Sequence, residues 1–235
     1  MPISDSDASL FDAAVSLRVA EVRGRIAAAA ERGGHGQSVT LIAVTKTHGP
    51  DAVVAAWRAG VLDVGENRVQ EAEAKMAQVN APVRWHLIGH LQRNKARLAT
   101  RFSLVHGVDS VRLAEALDQA AQAVGVVLDV LMQVNVSGED SKSGVEPDAV
   151  AAMAERWHLM HHLRVMGVMV MAPFDAPESV LRAVFSGARR AGTQLREAGH
   201  RAPWLSMGMS GDYEVAVEEG ATHVRLGTVL FGTRT

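Results

Sequence analysis

The sequence contains no cysteine, and this absence excludes several kinds of site at once. A chain of 235 residues without cysteine forms no disulfide bonds, binds no zinc through thiolates and has no thiol nucleophile. This composition is compatible with a reducing compartment. The N-terminal segment Met1–Asp7 also lacks the basic region and following apolar stretch of a secretory signal. We therefore expect a cytoplasmic protein.

An excess of charge of one sign is also missing. The chain has 24 Lys and Arg residues against 26 Asp and Glu residues, which gives a net charge of −2. Such a balance provides no general attraction to nucleic acid or to an anionic membrane. In addition, no apolar run approaches the roughly 18 residues that a membrane-spanning helix needs. A small-molecule ligand is favoured, without a nucleic-acid or membrane partner.

What the sequence does contain is a regular alternation of short apolar runs and amphipathic stretches. The apolar runs, rich in β-branched residues, are Thr40–Thr45, Leu62–Gly65, Arg84–Gly89, Leu104–Val108, Val130–Val136, Val165–Met171, Trp204–Gly208 and His223–Gly227. The amphipathic stretches between them include Asp51–Ala59, Arg68–Gln78, Ser110–Ala123, Ala176–Ala198 and Asp212–Glu219. Eightfold strand–helix alternation predicts an α/β fold, a closed TIM-type (β/α)₈ barrel.

One additional helix is predicted before the first strand, over Ser9–Arg32. Its apolar residues Leu10, Ala14 and Leu17, with Val22 or Ile26, lie on or near one stripe, which predicts a helix packed on the bottom or flank of the barrel. Because no linker interrupts the pattern, we expect a single domain over residues 1–235, with the leading helix and loop at 1–35 and the barrel at 36–235.

Lys46 comes directly after the first apolar run, at the predicted carboxyl end of a strand. Parallel α/β proteins keep their active sites at these strand ends. A lysine amine that is partly withdrawn from water commonly serves as a nucleophile or Schiff-base former. The simpler alternative is a strand-end lysine that reaches solvent.

The other predicted strand ends are also mostly polar or glycine. They are Glu66–Asn67, His86 with Gly89, Asp109, Asn135 with Ser137, Met171, Ser206–Ser210 and Arg225–Thr228. Of these, Asp109–Ser110 is interpreted as the cap of the next helix.

The ends of the seventh and eighth predicted strands have the composition of an anion site. Ser206–Gly211 leads into a predicted helix, and Arg225–Thr228 closes the last strand. Backbone N–H groups, small residues and the hydroxyls of Ser210 and Thr228 together suit a phosphate group. With Lys46 on the neighbouring first strand, the pattern predicts a ligand that is a phosphorylated carbonyl compound.

Several segments in the same order carry a resemblance to a known family. They are Ala43–Thr47, Gly65–Glu71, Trp85–Lys95, Val134–Ser137 with Ser141–Gly144, Leu205–Ser210, and Val224–Thr228 with Phe231–Gly232. With these segments the chain resembles the pyridoxal 5′-phosphate (PLP) homeostasis proteins, single-domain relatives of the alanine racemase N-terminal barrel. The resemblance implies that PLP is the cofactor.

The resemblance also implies roles for individual residues. Lys46 is similar to the lysine that holds PLP as an aldimine, and Arg225 to the arginine that faces the pyridine nitrogen. The remaining positions that match are the phosphate-binding Ser210, Gly227 and Thr228, and the ring-lining Asn67, His86, Ser206 and Met207. An alternative for Arg225 is an ion pair with a carboxylate such as Glu66.

Two further groups of residues are candidates for a site. His158, His161 and His162 have the i, i+3, i+4 spacing of a helical metal pair, but no third ligand is evident beside them, so we predict no metal site. Lys142, in the polar stretch after the fifth strand, is a candidate for a second, transient PLP-reactive amine.

Three functions are compatible with these residues. The favoured one is PLP binding for intracellular homeostasis without strong turnover, in a monomer or weak dimer whose partners are PLP and apo forms of PLP-dependent enzymes. The main alternative is a PLP-dependent amino-acid racemase, which needs acid–base groups on both faces of the substrate. The sequence after Phe231 suggests no second domain to supply one, and the sole tyrosine, Tyr213, follows the phosphate loop. A class I aldolase is a third alternative, without comparable motifs.

Overall fold

The chain folds into a closed barrel of parallel strands in the order β1 to β8, with β8 pairing with β1. The computed structural model describes residues 5–139 and 143–232. The strands are β1 Thr40–Val44, β2 Asp63–Glu66, β3 Arg84–Leu87, β4 Leu104–Val108, β5 Leu128–Gln133, β6 Leu163–Met169, β7 Trp204–Ser206 and β8 His223–Leu226. This is the predicted (β/α)₈ barrel.

Helices follow the strands on the outside of the barrel. Within the described residues they are α1 Asp5–Gly33, α2 Pro50–Arg58, α3 Val69–Met76, α4 Ala96–Ala99, α5 Val111–Val124, α6 Val150–Trp157, α7 Glu178–Glu197, α8 Tyr213–Glu218 and α9 Thr228–Phe231. Ser110 caps α5 as predicted, since its hydroxyl accepts a hydrogen bond from the Leu113 N–H at 3.3 Å. Helix α5 ends at Val124 and is followed by Gly125, whose φ of 70° is left-handed.

The leading helix α1 packs on the flank of the barrel, in contact with α2, α8 and α9. Its buried stripe consists of Val15, Val19, Val22, Ile26 and Ala29. The predicted stripe was correct for Val22 and Ile26 but wrong for the two leucines, because Leu10 and Leu17 are 70% and 75% exposed. The i, i+4, i+7 spacing of the valines determines which face is buried.

The end of β5 differs from the prediction. The sequence predicted a strand over Val130–Val136, whereas β5 spans Leu128–Gln133. After Gln133 the chain pairs with Val145: the Val145 N–H donates to the Gln133 carbonyl at 2.8 Å, and the Asn135 N–H donates to the Val145 carbonyl at 2.9 Å. The loop that follows β5 therefore folds back onto the strand end. Lys142, the candidate second amine, lies outside the described residues.

The two faces of each strand meet different environments. Side chains that point outward form the main core with the helices, and this core includes Leu87 and Leu226. The barrel interior is apolar on the side of β4 to β6, where Leu104, Leu131 and Met169 pack together. Among the helices of the described ranges, none has both the length and the apolar character that crossing a bilayer requires.

Candidate cofactor site at the barrel mouth

Lys46 lies at the carboxyl end of the barrel, where the structure brings several predicted site residues together. Val44 is in register with Gly65, which places the end of β1 beside Asn67 at the end of β2. On the other side, a Cβ atom added to Gly227 would lie 3.2 Å from the Val44 carbonyl oxygen. Lys46, Asn67 and Gly227 therefore surround one side of the mouth, and Lys46 is half-buried there.

The predicted phosphate-binding residues also come together. The Val229 N–H at the start of α9 donates a hydrogen bond to the Ser210 hydroxyl at 3.3 Å, which joins the loop after β7 to the end of β8. Gly208 allows this loop to turn with a φ of 93°. A Cβ atom added to Gly211 would meet no heavy atom within 4 Å. The hydroxyls and backbone amides of this region are the donors that a phosphate group requires, and the open space beside Gly211 leaves room for it.

Arg225 is buried in the barrel interior beneath the mouth. Its guanidinium donates to the Ser206 hydroxyl at 2.6 Å and to the Val170 carbonyl at 2.9 Å. Burial lowers the pKa of Arg225 to about 10, although the Asp212 carboxylate acts in the opposite direction. Arg225 therefore stays cationic near neutral pH and has only donors to offer. The alternative pairing with Glu66 is wrong, since Glu66 bonds to Lys75 outside the barrel wall.

A chain of buried side chains leads from Arg225 down through the barrel. The Ser206 hydroxyl is 2.9 Å from His106 Nδ1, and His106 Nε2 is 3.0 Å from His86 Nδ1. His86 Nε2 is 2.9 Å from an oxygen of Asp63, at the amino end of β2. Because β4 and β7 are not neighbouring strands, the His106–Ser206 bond crosses the barrel interior. We call Asp63, His86, His106 and Ser206 the histidine chain.

The ends of the histidine chain determine the direction of its hydrogen bonds. Burial keeps the pKa of His106 well below its usual value, with a further contribution from His86, so His106 is neutral. Burial alone would raise the pKa of Asp63, but hydrogen bonds from His86 and Arg84 lower it to about 2. Asp63 therefore only accepts and Arg225 only donates. With a neutral His86 ring, the arrangement that satisfies both ends has every donor pointing away from Arg225 and toward Asp63.

His86 and Ser206, which the resemblance predicts to line the cofactor ring, belong to the histidine chain. His86 is in register with Gly65, two residues before Asn67, so it lies one interior layer below the mouth. Both of its ring nitrogens are engaged by Asp63 and His106. Ser206 is fully buried, and its hydroxyl bonds to Arg225 and His106. Ser206 therefore contacts Arg225 directly, and His86 is connected to Arg225 through His106 and Ser206.

Met207 was predicted to lie against the cofactor, and the structure contradicts this for its side chain. Met207 is fully buried in the main core between the barrel wall and the helices. The reason is strand alternation: Ser206 points into the barrel, so the next residue points outward. Its side chain fills the core, as most methionines do.

The three histidines with the spacing of a helical metal pair do not lie on a helix. Helix α6 ends at Trp157, so residues 158–162 lack the helical geometry that the spacing required. The ring of His158 stacks on His200 at 4.2 Å, while His162 lies 3.8 Å from Asp118. Within 5–139 and 143–232, no group of three or more potential ligands is arranged to hold a metal ion.

Sequence reasoning missed His106, His223 and Asp63, which are buried and polar in the barrel interior. The available signal was a histidine or carboxylate inside an otherwise apolar strand. His106, for example, interrupts Leu104–Val108. Such a residue must find a buried partner, because an unpaired polar group is costly in a strand interior.

Comparison with known proteins agrees with this geometry. Residues 18–235 match the family described as alanine racemase, N-terminal domain. The pyridoxal phosphate homeostasis protein of Pseudomonas aeruginosa is 41% identical over 223 residues, covering 94% of this chain and 96% of its own length. That of Escherichia coli K12 is 38% identical, covering 94% and 97%. The chain belongs to the pyridoxal phosphate homeostasis protein family.

Solved structures of other proteins resemble the fold of this chain. PipY of Synechococcus elongatus, solved with PLP bound, has 38% identity and a TM-score of 0.83, covering 93% of this chain and all of its own. Alanine racemase of Corynebacterium glutamicum has 16% identity and a TM-score of 0.73, covering 95% of this chain and 62% of its own length. The racemase likeness shows the shared barrel fold.

Proposed function

We propose that this chain binds PLP covalently through Lys46, as an aldimine, and serves as an intracellular PLP carrier or buffer. The observation that carries the proposal is that three kinds of chemical group lie at one barrel mouth. An amine from Lys46, a phosphate-type donor set at Ser210, Gly227 and Thr228, and the Arg225 guanidinium match the aldehyde, phosphate and pyridine nitrogen of PLP. PLP itself supplies the reactive aldehyde. The PLP-bound structure of the relative PipY supports the same ligand.

Reduction with borohydride tests the covalent link. We expect an absorbance band when PLP is added, and borohydride should fix the cofactor on Lys46, as mapped by mass spectrometry of the modified peptide. Lys46→Ala should abolish the band, whereas Lys95→Ala, a matched control at a lysine after the third strand, should keep it. A band that survives in Lys46→Ala, or a label on Lys95 or Lys142, would contradict the assignment.

The carrier role is proposed over racemization for two reasons, the position of the tyrosine and the donor character of Arg225. Inversion at an α-carbon needs a second acid–base group opposite Lys46. The chain's one tyrosine, Tyr213, is buried in the outer core, with the Arg25 guanidinium 5.7 Å above its ring. Arg225 donates only, which keeps a pyridine nitrogen unprotonated and makes the ring a poor electron sink.

A deuterium wash-in assay separates the carrier from the racemase. Incubation of the PLP-loaded protein with L-alanine in deuterated water should leave α-carbon exchange near the rate of free PLP. PLP should nevertheless pass from the loaded protein to an apo form of a PLP-dependent enzyme. Rapid exchange with inversion that depends on Lys46 would instead establish the racemase.

A further inference from the structure

A second buried polar group lies behind Lys46, on the outer side of the barrel wall. It consists of Glu66, Glu71 and Lys75, and we call it the Lys75 cluster. The Lys75 amine is buried and lies 2.6 Å from a Glu66 oxygen and 3.1 Å from a Glu71 oxygen. Glu66 is fully buried, and burial raises its pKa despite hydrogen bonds from Lys75 and Thr45.

The Lys75 cluster bonds to both neighbours of Lys46 in the sequence. The Lys75 amine donates to the Thr45 backbone carbonyl at 2.7 Å, and the Thr47 backbone N–H donates to a Glu71 oxygen at 2.5 Å. In addition, the Thr45 hydroxyl donates to Glu66 at 2.6 Å. The backbone on each side of Lys46 is therefore attached to the same charged cluster.

These bonds hold a strained turn. The His48 N–H donates to the Thr45 carbonyl at 3.0 Å, which closes a four-residue turn with Lys46 and Thr47 at its two central positions. Thr47 has a φ of 66°, a left-handed conformation that favours glycine or asparagine and that a β-branched residue rarely adopts. Left-handed residues of this type persist where the surrounding contacts hold them in place.

We infer that Glu71 and Lys75 are positioning residues for Lys46: they hold the turn that presents its amine to the barrel mouth. This inference rests on the proposed function, since it concerns the capture of PLP by Lys46. Glu71 holds the strained Thr47 backbone, and Lys75 holds both the Thr45 carbonyl and the two carboxylates. The cluster acts on the direction of the Lys46 side chain without touching the ligand.

A double-mutant cycle between Glu71 and Thr47 tests this inference. Glu71→Ala removes the acceptor of the Thr47 N–H, and we expect it to slow PLP capture, followed by the aldimine band, about tenfold. Thr47→Gly in the Glu71→Ala background should restore most of the rate, because glycine adopts a positive φ without the clamp. Glu71→Gln keeps an oxygen acceptor and should stay near the wild-type rate. The matched control is Glu73→Ala on the same helix, which removes only a surface ion pair with Arg101.

Two further measurements separate positioning from general damage. Pyridoxine 5′-phosphate has the ring and phosphate of PLP but no aldehyde, so its affinity should be unchanged in Glu71→Ala. Hydrogen exchange of the Thr47 amide, measured without ligand, should accelerate in that variant. Capture at the wild-type rate in Glu71→Ala, or additive effects in the double mutant, would overturn the inference. If the wild-type protein bound pyridoxine 5′-phosphate but formed no Lys46 adduct, the proposed function would fail instead, while Thr47 exchange would still report the turn.

Discussion

The two buried polar networks on either side of the barrel wall solve the same problem in different ways. The histidine chain, inside the barrel, spans the distance between Arg225 and Asp63 with a hydroxyl and two imidazole rings, of which that of His106 is neutral. The Lys75 cluster, outside the wall, is compact and holds an ammonium group between two carboxylates. The inner network supports a side chain, Arg225, and the outer network supports the backbone around Lys46.

The comparison shows why each network has its chemistry. A chain of hydrogen bonds through uncharged groups transmits a fixed orientation over several residues without burying a charge at every step. An ion cluster is short, but it binds several backbone groups at once through charge-assisted bonds. The disadvantage of the Lys75 cluster is that removal of one charged side chain leaves another charge buried and uncompensated. The two networks should therefore respond differently to mutation and to pH.

The largest effect is expected in the outer network. Lys75→Met should reduce the free energy of unfolding by about 4 kcal/mol at pH 7, because Glu66 is left buried without its counter-charge. Adding Glu66→Gln should recover more than half of this loss. Urea unfolding measures both variants, with Lys95→Met as a control at a more exposed lysine. A loss in Lys75→Met no greater than in the control would remove the ion cluster as a stabilising element.

Acid should act mainly on the inner side of the wall. Burial lowers the pKa of His223 to about 4 from an ordinary 6.5. Between these values the unfolded chain binds a proton that the folded protein does not, so stability falls as the pH decreases from 6.5 toward 4. The difference of about 2.5 units corresponds to about 3 kcal/mol. His106 adds to the same trend, since its pKa is also lowered.

The Lys75 cluster should not add to this loss of stability between pH 6.5 and 4.5. Burial raises the pKa of Glu66, so its contribution to stability falls as pH rises above 4.5. For Glu71, hydrogen bonds from Thr47 and Lys75 outweigh burial and lower the pKa, so its contribution is lost as pH falls below 4.5. Between pH 4.5 and 6.5 the Glu66 trend therefore runs against that of His223, and the Glu71 trend begins only below pH 4.5. His223→Gln should therefore flatten the unfolding free energy between pH 6.5 and 4, and an unchanged slope in that variant would refute the assignment.

A smaller effect is expected at the centre of the histidine chain. His106→Phe conserves ring volume but leaves the Ser206 hydroxyl and His86 Nδ1 without their partner, which should cost about 2 kcal/mol of stability. It should also shift the absorbance of bound PLP through Arg225, while PLP capture by Lys46 stays near the wild-type rate. Glu71→Ala should show the reverse pattern. If both variants changed the capture rate equally, the two networks would not be separable.

The sequence was sufficient for the barrel because its signal is a repeated one. β-Branched runs alternate with amphipathic stretches, and the polar residue after the first run, Lys46, lies at the mouth as expected. The sequence did not indicate on which face of a strand a given residue lies. A shift of one residue moves a side chain from the barrel interior to the helix layer. This explains the error at Met207 and the placement of Glu66, which joins Lys75 instead of Arg225.

For a related reason, the sequence could not indicate hydrogen-bond partners that lie far apart along the chain. The His106–Ser206 bond joins residues 100 positions apart, and it forms only because the barrel closes. In contrast, Glu71 and Lys75 have the i, i+4 spacing of a helical ion pair, a local signal that was available. Its meaning depended on Thr47, whose left-handed backbone has no signature in a threonine.

The smallest predicted effect lies at the phosphate end of the site, away from both networks. Thr228→Val removes a hydroxyl but keeps the side-chain volume, and it should weaken PLP binding about tenfold, or about 1.4 kcal/mol. Binding of pyridoxal, which lacks the phosphate, should not change, so the preference for PLP over pyridoxal narrows. Stability and Thr47 amide exchange should remain at wild-type values, because Thr228 is exposed and belongs to neither network. Competition experiments with the two aldehydes measure the preference. If PLP and pyridoxal bound the wild-type protein equally well, the Ser210, Gly227 and Thr228 donor set would not be a phosphate site, and the ligand would be held by Lys46 and Arg225 alone.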